Sequence, residues 1–380
     1  MMFEQEKNMT IVAPMTPAGV SAVAALRVSG SFAKRIAETL FEQKNITPRK
    51  ACYGILKHPN TRKNIDSLLY IFFNAPSSFT GEDTLELFPH GNPLIVREIL
   101  QAILQFPEVR LAEPGEFTKR AFLNGKLDLV QAASVGDMIH STSMAALENA
   151  KRLLSGQFSK HVQELAKSVL SFSALLELDV DFAEEEADPD FAGWENRLIE
   201  IKEKISVLHS RFKNAAAVNR LPLAVVYGAP NAGKSSLINA LLEEERLLVS
   251  NVAGTTRDFV EVRLVLPGGE IRLVDTAGIG NAPISELDAL SMEKSKAILA
   301  EADLKIHLVD PAEGKVNASE NELLVYSKSD VLKIENELCV SSKTREGLDE
   351  LRNLLNEKLY AEKELPAEDF GLQAKENAFV

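Results

Sequence analysis

Short apolar runs, TIVAPM, AVAALRVSG, SLLYIFF and TLELF, recur between Pro and Gly breaks up to about Lys126, with the longer periodic stretch LIVREILQAIL among them. Short runs bounded by turn formers read as strands and the longer one as a helix, so residues 1–126 are expected to form a small α+β domain. Beyond Leu127 the period lengthens. Val162, Leu165, Val169, Phe172 and Leu176 recur at steps of three and four, as do Leu198, Ile201, Ile205, Leu208 and Phe212. Such stripes predict amphipathic helices with packing partners, a helical domain over 127–216. Between them DVDFAEEEADPDFAGWEN, dense in acid and broken by Pro189, reads as a solvated loop without chemistry. At Leu221 the pattern turns to strand, glycine-rich loop and helix, LAVVYGAPNAGKSSLINALL, opening an α/β nucleotide-binding domain over 217–362, with 363–380 a residual tail.

Composition changes this picture little. With 380 residues, 45% hydrophobic and 26% charged, the chain has room for two or three domains around sizeable cores. A net charge of -13 and a pI near 5.1 argue against a surface that coats nucleic acid, so any RNA contact must come from a local basic patch. The two cysteines, Cys52 and Cys339, have no metal-ligand spacing and suit a reducing cytoplasm. The start MMFEQEKNMTIV has no basic segment leading into an apolar one, and no run of about 18 apolar residues occurs, so a cytoplasmic protein with no membrane span is expected.

The chemistry is concentrated after Leu221. Gly228-Ala-Pro-Asn231-Ala232-Gly233-Lys234-Ser235-Ser236 fits GxxxxGK(S/T) between an apolar strand and a helix. Its glycines let backbone N–H groups close around phosphate, Lys234 neutralises charge on the transferred group and serves as a catalytic residue, and the Ser235 hydroxyl can ligate Mg²⁺. Next comes Ser250-Asn251-Val252-Ala253-Gly254-Thr255-Thr256, with a Thr able to reach Mg²⁺ and the γ-phosphate. The strand IRLV ends in Asp275, suited to hold the metal through water, followed by Thr276, Ala277 and Gly278, whose N–H can sense the γ-phosphate. For the base, LLVYSKSD gives Ser327, Lys328 and Asp330 where an Asn-Lys-x-Asp motif is expected. Asp330 can accept the N1 and N2 donors that guanine has and adenine lacks, so GTP is favoured over ATP. Ser341, Ser342 and Lys343 resemble the loop that backs guanine O6 with a main-chain N–H.

These segments, together with SSFTGEDTLEL, LAEPGEFTKRAFLNGKLDLVQA and the acidic DFAEEE, resemble the MnmE (TrmE) family of tRNA-modification GTPases from about Thr10 to Lys343. The resemblance implies an N-terminal domain that dimerises and binds a formyl-tetrahydrofolate, a helical domain, and an inserted Ras-like GTPase domain that binds GTP and GDP. It carries the folate contacts onto Arg27, Glu86 and Lys126. It places Mg²⁺ on Ser235 and Thr256, and K⁺, in place of an arginine finger, on Asn231, Ser250, Val252 and Thr255. The implied activity is modification of the wobble uridine of tRNA, carried out with the flavoprotein MnmG (GidA). Lys119, Arg120 and Lys126 form a candidate basic cluster for tRNA phosphates.

Four departures from the family pattern stand out. The chain ends in ELPAEDFGLQAKENAFV, without the further helical segment and Cys-containing tail of the family. Asp288 takes the place of the water-orienting Glu, with Glu286 as rival, so slow hydrolysis is expected. Ser327 replaces the guanine-reading Asn, and the link between the two late strands is short. Two main readings follow: an MnmE-type GTPase of the wobble-uridine pathway, and a non-enzymatic remnant that binds nucleotide or folate. A ribosome-assembly GTPase would share the GTP motifs alone, and the N-terminal half argues against it.

Overall fold

The computed structural model describes residues 9–181, 191–210, 212–214, 220–243, 260–275, 297–316, 322–360 and 370–372. In chain order the first elements are β1 Thr10–Pro14, β2 Ser21–Val23, β3 Leu26–Ser29, α1 Ala33–Leu40, β4 Cys52–Lys57, β5 Asn64–Phe73, β6 Thr84–Phe88, β7 His90–Gly91, α2 Pro93–Ile103, β8 Val109–Leu111 and α3 Glu116–Leu123. The long helices follow: α4 Leu129–His140, α5 Met144–Leu154, α6 Gln157–Asp181 and α7 Phe191–Ser210. The remainder comprises β9 Phe212–Asn214, β10 Leu223–Tyr227, α8 Lys234–Glu243, β11 Val260–Leu266, β12 Gly269–Asp275, β13 Leu304–Val309, β14 Glu322–Tyr326, α9 Leu348–Tyr360 and β15 Phe370–Leu372. Two compact units result, one built mainly on residues up to Gly136, the other on Asp137–Arg152 and His161–Gln373.

The first unit contains a six-stranded sheet in the order β4-β5-β6-β3-β1-β8, antiparallel except for the parallel pair β1/β8. Alternate residues face its core. Leu26 and Val28 of β3, Leu85 and Leu87 of β6, and Leu68, Tyr70 and Phe72 of β5 pack with Ile36 and Leu40 of α1 and Ile99 and Ile103 of α2. The residues between them, including Arg27 and Glu86, therefore stand on the opposite face.

The second unit carries a five-stranded sheet, β11-β12-β10-β13-β14, parallel apart from the edge strand β11. Both faces are covered, and the strands are accordingly almost continuously apolar. Ala224, Val226, Leu273, Ile306 and Leu308 pack under α8 and α9, while Leu223, Val225 and Val274 meet Ile298, Leu299 and Ala302 on the other side. The turn of the β11–β12 hairpin is held on several sides. Gly268 N–H donates to Asn356 Oδ1 at 2.7 Å, its carbonyl accepts from Met144 N–H at 2.9 Å, and Glu270 N–H donates to the Thr142 carbonyl at 2.7 Å. The Tyr360 hydroxyl donates to the Glu270 carbonyl at 2.5 Å, and burial, reinforced by the nearby Glu270, pushes its pKa up to about 12. It remains a donor at any physiological pH.

The three-four spacing of the helical stretch is realised in α6 and α7, with two corrections. The stripes predict packed faces, but Val162, Val169, Leu198 and Ile205 are exposed and α7 buries none of its described residues, so the period forms helices whose apolar faces stay largely uncovered among the described residues. Helix α7 ends at Ser210, and Phe212, expected as the last member of its stripe, instead opens β9, which pairs in parallel with β15. In the short link after β13 the described residues hold one 3-10 turn, Pro311–Glu313. Among the described residues, no helix is long and apolar enough to cross a membrane.

Candidate nucleotide and folate sites

The phosphate loop follows from its glycines. β10 is buried from Leu223 to Val226, and the chain must then leave the sheet while passing close to β13. Gly228 does this at φ 148°, where a Cβ would stand 2.1 Å from the Leu308 carbonyl oxygen. Asn231, at φ 67°, and Gly233, at φ 96°, complete the turn in left-handed backbone that Asn and Gly tolerate best. Lys234 is buried and arches back over the loop, its Nζ donating to the carbonyls of Gly228 at 3.1 Å and Ala229 at 3.0 Å. It lies in the first turn of α8, where N–H groups have no intrahelical acceptor and the dipole favours an anion.

Beside it the Ser235 hydroxyl donates to Asp275 Oδ2 at 2.6 Å. Asp275 closes β12 in a buried position, and its Oδ1 has no hydrogen-bond partner among the described residues. A buried carboxylate oxygen without a donor is costly, and an oxygen-seeking divalent cation relieves that cost. The pair Ser235 and Asp275 fits such a cation.

The base end is assembled at the C-terminal ends of β13 and β14. Ser327 is buried, its N–H and its Oγ both donating to the Val309 carbonyl, at 2.9 and 3.3 Å. Asp330 Oδ1 accepts from the fully buried Ser341 hydroxyl at 2.8 Å, and Ser341 Oγ in turn accepts from the N–H groups of Lys343 and Thr344 at 3.3 and 3.1 Å. The loops 327–330 and 341–344 are thus one hydrogen-bonded assembly. Lys328 Nζ pairs with Asp310 Oδ2, and the hydrogen bond from Lys328 holds the Asp310 pKa below the usual carboxylate value. Asp310 was missed by the sequence reading, where one acid after a strand carries no distinguishing mark.

Ser250, Asn251, Val252, Ala253, Gly254, Thr255, Thr256, Thr276, Ala277, Gly278, Glu286 and Asp288 lie outside the described residues. The phosphate loop, Asp275 and both base loops are described. All of these lie at the C-terminal edge of the parallel strands, the usual ligand side of such a sheet.

In the first unit Arg27 and Glu86 are register partners on β3 and β6. Arg27 Nε and Nη2 both donate to Glu86 Oε1, at 3.0 and 2.8 Å, and the guanidinium lies 4.8 Å from the Phe79 ring centroid and 5.6 Å from that of Phe117. Lys126 Nζ donates to the Pro76 carbonyl at 3.1 Å. Of the three expected folate residues, Arg27 and Glu86 are brought into direct contact, while Lys126 is tied to Pro76, in the same loop as the Phe79 ring beside Arg27, a relation that strand alternation alone did not reveal.

The basic cluster needs correcting. Arg120 is buried, its guanidinium bonding Glu82, Glu116 and the Met9 carbonyl, so it belongs to the core network and presents no cation to a phosphate. Lys119 stays exposed. Burial raises the Glu116 pKa, but hydrogen bonds from Arg110, the Glu113 N–H and Arg120 outweigh it and hold the carboxyl at about 2.

Comparison with known proteins agrees with this layout. The family model described as "GTP-binding protein TrmE N-terminus" matches residues 10–126, and that described as "50S ribosome-binding GTPase" matches 223–340. The G domain of the T. maritima FeoB iron transporter aligns with 25% identity over 37% of this chain and 99% of that one, at a TM-score of 0.28, too low to inform function. The tRNA modification GTPase MnmE of Aquifex aeolicus is 38% identical over 343 residues, covering 89% of this chain and 74% of that protein. Its namesake from Flavobacterium johnsoniae is 38% identical over 384 residues, 91% and 81% of the two chains, and one from Neisseria meningitidis is 38% identical over 367 residues with the same coverage. With identity of this level sustained across both the folate-type and the nucleotide-binding halves, the chain belongs to the MnmE family of tRNA modification GTPases.

Proposed function

We propose that this chain binds and hydrolyses GTP to drive modification of the wobble uridine of tRNA. The observation that carries the nucleotide reading is the phosphate loop whose Lys234 is buried over it, beside the Ser235–Asp275 pair with its unsatisfied carboxylate oxygen. Lys234 neutralises phosphate charge, the N–H groups at the start of α8 orient the oxygens, and Asp330, fixed by Ser341, reads the guanine edge through its donors. Ser235 and Thr256 would hold Mg²⁺, and Asn231, Ser250, Val252 and Thr255 would hold K⁺, ions that would supply positive charge to the phosphates. Asp288 orients the attacking water. Among the N-terminal residues, Arg27, Glu86 and Lys126 take a formyl-tetrahydrofolate, and that domain, 1–126, joins two copies into a homodimer. MnmG is the partner flavoprotein and tRNA the macromolecular substrate. The helical domain spans 127–216, the GTPase domain 217–362 and the tail 363–380, in a cytoplasmic protein.

The test uses the whole chain. Hydrolysis of GTP with Mg²⁺ is measured in KCl and in NaCl, with Lys234→Ala as the control, expected to lower the rate roughly 10²-fold or more. Wobble nucleosides are then examined by mass spectrometry in cells lacking their own MnmE and supplied with this chain and the MnmG-type partner. Faster turnover in KCl and appearance of the modified uridine support the reading. Turnover no greater than that of Lys234→Ala overturns its enzymatic part, and unmodified uridine beside active GTPase overturns its tRNA part.

A further inference from the structure

Ser327 stands where the guanine-reading motif carries Asn, and its short side chain turns back onto the Val309 carbonyl. The neighbouring Lys328 adopts a left-handed backbone, φ 54°, which a lysine enters only when its surroundings impose it. Its side chain is tied to the neighbouring loop, Nζ donating to Asp310 Oδ2 at 2.5 Å. Asp310 is itself fixed beforehand, since its Oδ1 accepts from Ala312 N–H at 3.0 Å as the cap of the turn Pro311–Glu313. β13 and β14 are parallel with Val309 opposite Tyr326, so the ion pair joins the two loops that emerge side by side from these strands. One of those loops carries Asp330. With Lys328 45% and Asp310 22% exposed, the pair adds little to folding stability; its effect lies in where it holds Lys328.

We propose that Asp310 is a positioning residue of the guanine site, its carboxylate anchoring Lys328 and thereby the segment Ser327–Asp330 in the shape that reads the base. This rests on the reading of that segment as the guanine site. The carboxylate takes over part of the anchoring that Ser327, with its hydroxyl spent on the sheet, does not supply.

The experiment is a titration of the full chain with fluorescently labelled GDP at fixed Mg²⁺, in competition with unlabelled GDP or ADP. Asp310→Asn keeps an acceptor for the Ala312 N–H and removes the charge. It is expected to weaken GDP binding roughly three- to ten-fold, with the melting temperature of the ligand-free chain unchanged. In a Lys328→Met background the same substitution is expected to have no further effect, because the partner is gone. Unchanged GDP affinity in Asp310→Asn, an equal loss in the Lys328→Met background, or a matching fall in the ligand-free melting temperature each overturn the proposal while leaving the guanine site in place. If the wild-type chain does not prefer GDP to ADP, the guanine reading fails and the proposal fails with it.

Discussion

In the six-stranded sheet Arg27 and Glu86 sit in the middle of strands, on the face away from α1 and α2, whereas in the five-stranded sheet the described site residues lie at or beyond the C-terminal ends of strands. The difference follows from how each sheet is covered. A sheet whose apolar core lies on one face accepts a charged pair mid-strand on the other, since alternation points those side chains away from α1 and α2 and leaves them to pair with each other. A parallel sheet buried on both faces has no such place, so polar chemistry moves to the loops at its edge, where glycines and free N–H groups do the binding. The candidate mid-strand site is built from side chains alone, the candidate edge site from side chains set beside loop and helix-start backbone.

Three experiments press on this contrast. The largest effect is expected at the edge site. In Gly228→Ala the new methyl would stand 2.1 Å from the Leu308 carbonyl in a left-handed backbone, costing about 3 kcal/mol or more. Hydrogen exchange of the full chain is expected to show lost protection in β10 and α8 with β1 and β3 unchanged; equal loss in both sheets would erase the contrast. A middle-sized effect concerns acid. The folded Glu116 carboxyl, at about 2, lies below its ordinary value of 4.5, so its contribution to stability is complete above that value and is lost as pH falls toward 2. Exchange protection of β1 and β8 is expected to decline over that window, and Glu116→Gln to flatten the decline while lowering stability near neutrality. The smallest effect on the fold is expected for Arg27→Lys, which keeps the charge but loses the paired donors to Glu86 and the planar contact with Phe79. Formyl-tetrahydrofolate binding is expected to fall roughly ten-fold, with stability changed by less than about 1 kcal/mol. An unaltered affinity would remove Arg27 from the folate site.

Legibility in the sequence follows the same division. The phosphate loop was readable because a strand, spaced glycines and a helix leave a fixed signature, and Gly228 and Gly233 fall at the left-handed positions that the motif requires. The amphipathic stripes likewise gave α6 and α7, though the period alone carried Phe212 past the true helix end, where pairing with β15 takes over. Long-range partners were not readable. Nothing in the order of residues tells that Arg120 turns inward to Glu82 and Glu116 while Lys119 stays in water, or that Ser341 orients Asp330. Arg27 and Glu86 looked like ordinary outward residues of strands, and only the register set them opposite each other.

The hairpin turn at Gly268 and Gly269 carries a consequence for descent. A Cβ at Gly268 would lie 2.7 Å from the Tyr360 ring, and one at Gly269 would lie 2.5 Å from the Ser143 Cα. Two positions that look like an interchangeable surface turn are thus closed to the other amino acids unless Tyr360 or the 142–144 segment changes with them. Drift at this turn is expected to be correlated drift, so a descendant that loses either glycine records a remodelled neighbour elsewhere in its chain.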